Sequence, residues 1–210
     1  MLIQPGELIV THLKRGPTLV RVIEVGTAQI TISLGRNKQA RLPHSRILYA
    51  TNLIPSSDGE TEELESASHA IADNLDVNEL WQLVKDEADE FTLEDLARTH
   101  WTGNPTLAQK IGLLFHLEKF PVYFSRDKNF YRPVSIETIE IMRSQKRKDE
   151  ERASSRSTLM EHLAHSRLPS PMNEHHKALL AHLRGFAIHG DAYSKRQVAE
   201  DLLEYTGQVS

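Results

Sequence analysis

The stretch "PVYFSRDKNFYRP", Pro121–Pro133, decides how this chain is read. Val122, Tyr123 and Phe124 make an apolar, β-prone run, Arg126 to Asn129 supply a polar turn, and Phe130, Tyr131 and Arg132 follow as a second run. Two such runs around a short turn predict a hairpin. Three segments with helical spacing precede it. In "DVNELWQLVKDE", Val77, Leu80, Trp81 and Val84 share one face, with Trp81 as a core anchor. In "EFTLEDLARTHW", Glu90–Trp101, the Thr92 hydroxyl is placed to cap a helix. Asp95 is an acidic variant of the capping box, and Phe91 and Leu96 are spaced as a hydrophobic staple. Glu94 and Asp95 also complement the positive end of the helix dipole, and Gly103 and Pro105 end the helix. The third segment, "PTLAQKIGLLFHLEK", aligns Leu107, Ile111 and Leu114, with Ala108 and Phe115 beside them. Three helices and then a hairpin is the order of a winged helix-turn-helix, in which the third helix and the wing are the usual DNA-contacting parts.

Upstream, "GELIVTHL", "TLVRVIEVG", "AQITISLG" and "QARLPHSRILYAT" are rich in Val, Ile, Leu and Thr and are punctuated by Gly6, Gly16-Pro17, Gly26 and Gly35. Four or five short strands with tight turns predict a small barrel of the SH3-like or OB-like kind. The expected class is therefore α+β and multi-module. It has a basic β-barrel at 1–55, an acidic linker at 56–75 in which a polar helix begins, a winged helix-turn-helix at 76–134, a long polar helix at 135–168 and a C-terminal helical segment at 169–210. On the long helix, Ile136, Ile139 and Met142 form a narrow docking stripe, and "RSQKRKDEER" reads as a mixed-sign solvated face.

Charge separates these parts. The net charge of −4 over 210 residues hides seven Lys or Arg against two acids up to Pro55, a net of +5. From Ser56 to His100, fourteen acids stand against two bases, a net of −12. The basic head suits an RNA phosphate path, with His12 and His44 alongside, although Tyr49 is its only aromatic residue for base stacking. Between Asp76 and Pro133 ten acids face seven bases, and the third helix offers only Lys110 and Lys119. That balance argues against a DNA reader, which needs phosphate-neutralising residues beside its recognition helix.

Few chemistries remain open. The absence of cysteine excludes disulfides, thiolate nucleophiles and thiolate metal sites. His162 and His165, His175 and His176, His182 and His189 lack a metalloprotease-type spacing and read as surface or inter-helix residues. "SLGRNK" is too poor in glycine for a phosphate-binding loop. The acids between Asp58 and Asp95 lack the apolar framing of a divalent-metal nuclease site. No catalytic residue and no metal ligand is assigned. No apolar run approaches the roughly 20 residues that span a bilayer, and the first residues lack a secretory pattern. A soluble, cytoplasmic protein is expected, with its oligomeric state left open.

The segments "NELWQLVKDEADEFTLEDLARTHW", "FHLEKFPVYFSRDKNFYRP" and "SIETIEIMRSQKRKDEE" resemble the N-terminal region of bacterial exoribonucleases of the ribonuclease II/ribonuclease R family. The likeness is to the branch in which a winged helix-turn-helix, not paired cold-shock domains, precedes the catalytic core. "LPHSRILYAT" is similar to the small barrel that opens those proteins. The resemblance implies processive degradation of RNA from the 3′ end, releasing nucleoside 5′-monophosphates, with magnesium held by aspartates of a catalytic domain. No stretch of this chain matches that domain, which is expected to follow in cis. The chain is then an N-terminal RNA-guiding piece without activity of its own. Single-stranded RNA is the expected partner, held by Lys14, Arg15, Arg36, Lys38, Arg41 and Arg46 of the head and by Arg126, Lys128 and Arg132 of the wing. The rival expectation is a stand-alone winged-helix DNA-binding regulator or a protein-docking module.

Overall fold

The computed structural model describes residues 3–14, 16–35 and 38–205. Among them, eight strands and seven α-helices make a mixed α+β chain with antiparallel sheets. The chain divides into two compact units, Met1–Ile139 and Glu140–Ser210.

In the first unit, β1 (Leu8–Leu13), β2 (Gly16–Val25), β3 (Gln29–Ser33), β4 (Gln39–Pro43) and β5 (Ile47–Ala50) form one sheet in the order β4-β3-β2-β1-β5. β2 serves two partners. Gly16 to Arg21 pair with β1, and Val22 to Val25 pair with β3. The register shift between Val22 and Glu24 marks a bulge, which bends the strand. The bend lets Leu42 of β4 and Ala50 of β5, on opposite edges, share one apolar cluster with Ile9, Val22, Ile30 and Ile32.

The expected barrel nevertheless does not close. From β4 the chain turns through Pro43 and a 3₁₀ turn at His44–Arg46, which sets β5 beside β1 and leaves β4 and β5 unpaired with each other. β1 is covered on both faces, with Ile9 inside the curl and Leu8 and Val10 against the helices. Such double burial explains its unbroken apolar run.

Leu8, Val10 and Leu19 belong to the same core as Trp81, Leu96, Ile111, Leu114, Phe124, Tyr131 and Ile139. Sheet and helices therefore share one interior. The stretch expected as a linker supplies part of it. Ser57 caps α1 (Asp58–Asn74), accepting a hydrogen bond from the Glu60 N–H at 3.2 Å. α1 lies along α4 (Leu107–Lys119), and a Cβ on Gly112 would stand 2.8 Å from both Ile71 Cγ2 and the Ser68 carbonyl. Ser68 and Ala72 are the buried residues of α1. Its packing face alternates these small residues with the half-buried Leu64 and Ile71.

The remaining helices of this unit are α2 (Val77–Val84) and α3 (Leu93–His100). Thr92 and Asp95 form the expected capping box, and Trp101 closes α3. Trp81 is 2% exposed, and its indole N–H donates to the Val134 carbonyl at 2.9 Å. Thr106 and Gln109 form a second capping box on α4. No α4 residue from Leu107 to Glu118 is exposed.

The hairpin is β7 (Phe124–Asp127) and β8 (Phe130–Pro133), and β6 (Phe91–Thr92) pairs with β8 on its other side. Its turn is shorter than the expected Arg126–Asn129. Lys128 and Asn129 alone reverse the chain, Lys128 at φ +55°, so Arg126 and Asp127 are strand residues.

α5 (Ile136–Ala164) runs from one unit into the other. Of the expected docking stripe, Ile139 is buried, while Ile136 and Met142 are exposed. Lys146–Glu150 and Arg147–Glu151 pair at 3.8 and 4.0 Å along its solvated middle. In the second unit Leu159, Ala199 and Leu202 are the buried apolar side chains, contributed by α5 and α7 (Arg196–Tyr205). Arg156 pairs with Asp201 at 3.2 Å, and Asn173, the cap of α6 (Glu174–His189), donates to Ser155 Oγ at 2.9 Å. No helix among the described residues is long and apolar enough to cross a membrane.

Candidate nucleic-acid interface

The basic residues of the first unit fall into two groups. Lys14 follows β1, Lys38 precedes β4, Arg41 lies on β4 opposite Thr31, and Arg46 ends the 3₁₀ turn. All four are exposed, and none has an ion-pair partner among the described residues. Lys128, in the turn of the β7–β8 hairpin, is exposed and unpaired in the same sense. Arg15 and Arg36 lie outside the described residues.

Arg21, Arg132 and Arg126 are engaged. Arg21 meets Asp58 at 3.0 Å. Arg132 meets Glu90 at 3.4 Å and Asp127 at 3.3 Å. Arg126 is turned inward, its side chain 19% exposed. Its guanidinium donates to Glu118 Oε1 at 2.9 Å, to the Lys128 carbonyl at 2.7 Å and to the Leu48 carbonyl at 3.3 Å. It braces the β7–β8 hairpin against the sheet. Of the nine candidate cations, the unpaired ones among the described residues thus lie mainly on the sheet, with Lys128 alone on the hairpin.

Between β5 and the β7–β8 hairpin lies a cleft of about 500 Å³, within the usual size of ligand sites. Ile47 and Leu48 of β5 and Leu93 of α3 give it apolar walls, and Tyr49, Glu94 and Tyr131 add polar atoms. The Tyr49 hydroxyl donates to Glu94 Oε1 at 3.2 Å, and Lys110 Nζ reaches the same oxygen at 3.3 Å. Burial, followed by the Glu94 charge, raises the pKa of Tyr49. Burial also raises that of Tyr131, against the opposing pull of Arg126. Both rings therefore keep their protons at neutral pH and act as donors.

A second cavity, of about 360 Å³, adjoins β1 and α4 and is lined by His12, His69, His116, Phe115 and Phe120. His116 Nδ1 is 2.7 Å from the Ala72 carbonyl, and His12 Nε2 is 3.7 Å from Glu118 Oε2. In the second unit, His182 Nδ1 lies 3.0 Å from the Tyr193 hydroxyl, whose ring stacks on His189. Gly185 leaves room for that ring, since a Cβ there would be 2.6 Å from it. His162 and His165 each turn Nδ1 to a carbonyl of their own helix. No group of three or more His, Asp or Glu among the described residues could hold a metal ion.

Glu94 and Glu118 were not legible as site residues. The first looks like a dipole-complementing acid at a helix start, and the second is one charge near the end of an apolar helix. Tyr49 had one signal, its isolation as the head's only aromatic residue. No family model, curated protein or solved structure matches the chain.

Proposed function

We propose that this chain binds single-stranded RNA and guides it, as the N-terminal region of a ribonuclease II-family processive 3′–5′ exoribonuclease. On this reading the curled sheet is an incompletely closed module of the SH3-like or OB-like kind. The helices α2 to α4 with β6, β7 and β8 are a winged helix-turn-helix. Catalysis, and the magnesium it uses, belongs to an aspartate-bearing domain in cis, and this chain contributes no catalytic residue. The observation that carries the proposal is the set of exposed, unpaired cations Lys14, Lys38, Arg41, Arg46 and Lys128, in a chain whose net charge is −4.

The rival reading, a DNA-reading regulator, asks α4 to enter a groove. That helix has no exposed residue before Lys119, and α1 covers one side of it. A recognition helix needs a free face.

Filter binding of single-stranded RNA across a salt series tests the proposal. Affinity falls with salt at a slope of roughly 0.7 per phosphate neutralised. Failure to bind at low salt, or a preference for duplex DNA, overturns it.

A further inference from the structure

The cleft beside β5 combines features that suit one kind of ligand. Ile47, Leu48 and Leu93 offer apolar walls to a flat ring, and the half-buried Tyr49 offers an aromatic one. Most polar atoms that line it are already engaged. Arg126 holds Glu118 and two carbonyls, His44 Nε2 is 2.9 Å from the Gly26 carbonyl, and Tyr49 donates to Glu94. Glu94 and the side-chain amide of Asn129 are exceptions. Both protein partners of Glu94 converge on Oε1, and Oε2 has none among the described residues. The two exposed cations Arg46 and Lys128 directly precede the lining residues Ile47 and Asn129 in the chain.

An apolar slot with a free carboxylate oxygen, and with exposed cations next in the chain to two of its lining residues, fits a nucleotide unit of a single strand. The base enters the slot and the flanking phosphates meet the cations. We infer that this cleft takes one unstacked nucleobase of single-stranded RNA, with Glu94 Oε2 accepting a hydrogen bond from the exocyclic amino group of that base. Adenine, cytosine and guanine carry such a group. Uracil does not, and its one N–H is flanked by carbonyl oxygens that would face the carboxylate. The inference rests on the RNA-binding reading and adds a base preference to it.

The test is fluorescence anisotropy of the full chain with labelled homo-oligomers of A, C and U at one low salt concentration. A hydrogen bond to a charged group predicts roughly tenfold tighter binding of the A and C oligomers than of the U oligomer. Glu94→Gln keeps the shape and an acceptor for Tyr49 but presents an amide to the base, and should bring the three affinities together. Thermal melting confirms that the variant is folded, and the wild-type comparison requires no variant. Equal wild-type affinities overturn the inference while leaving RNA binding intact, and point to a protein segment as the occupant of the cleft. A preference that survives in folded Glu94→Gln overturns the role given to Glu94. Absence of binding to all three oligomers removes the RNA reading and this inference together.

Discussion

Glu118 and Arg126 meet at 2.9 Å with side-chain exposures of 12% and 19%. That pair joins the end of α4 to the first strand of the β7–β8 hairpin. Arg126 also reaches the Leu48 carbonyl, 78 residues away in the chain, so one side chain fixes the hairpin against the sheet and shapes the cleft between them. Tyr131 adds a hydroxyl at 3.4 Å from the same Glu118 oxygen, and its ring lies beneath the guanidinium. Removing one partner of a buried pair strands the other charge.

Glu118→Ala and Arg126→Ala should therefore each destabilise the chain by about 3 kcal/mol in urea unfolding. The double variant should lose less than the sum, because the second deletion removes the stranded charge. Strictly additive losses would show that the two side chains act independently.

Thr92→Ala should cost about 1 kcal/mol, and Thr92→Ser should restore most of it. The same variant tests a pH effect. The hydrogen bond from the Thr92 hydroxyl, followed by that from its backbone N–H, holds the Asp95 carboxyl below its ordinary pKa. A depressed carboxylate adds stability above its unfolded-state value of roughly 4 and loses it as pH falls through the folded value. Below neutrality the acid limb of the wild-type stability curve should thus be steeper than that of Thr92→Ala. Parallel limbs would contradict this.

Gly112→Ala should destabilise the first unit by about 1–3 kcal/mol through overpacking, since the added carbon meets Ile71 and the Ser68 carbonyl at 2.8 Å. Chemical denaturation measures the loss. A neutral substitution would mean that α1 can move away from α4 without penalty.

Arg41→Gln and Arg46→Gln should each lower the affinity for single-stranded RNA and flatten its salt dependence by roughly 0.7. Arg132→Gln should leave the slope unchanged, because that guanidinium already faces Glu90 and Asp127. Salt titrations of the three variants check this. An effect of Arg132→Gln equal to the other two would show that ion pairing does not decide which cations meet phosphate.

Local signals in the sequence were enough for the Thr92 cap, the Trp81 anchor, four or five strands in the head and the presence of a hairpin, but not for its first strand, which is Phe124–Asp127 and not the expected Val122–Phe124. Each depends on residues within a few positions of one another, where turn chemistry and periodicity act directly. The exposed cations at Lys38, Arg41 and Arg46 could also be named, but not separated from Arg126 and Arg132. That distinction depends on which carboxylates the fold brings near, and Glu118 and Glu90, which meet Arg126 and Arg132, lie outside the hairpin. Tertiary structure alone decided that the sheet stays open, that the helix of the acidic segment packs along α4, and that α4 is largely enclosed. Only the packing of β5 beside α3 and the β7–β8 hairpin could assemble the cleft, because its walls are drawn from parts of the chain that share no local pattern.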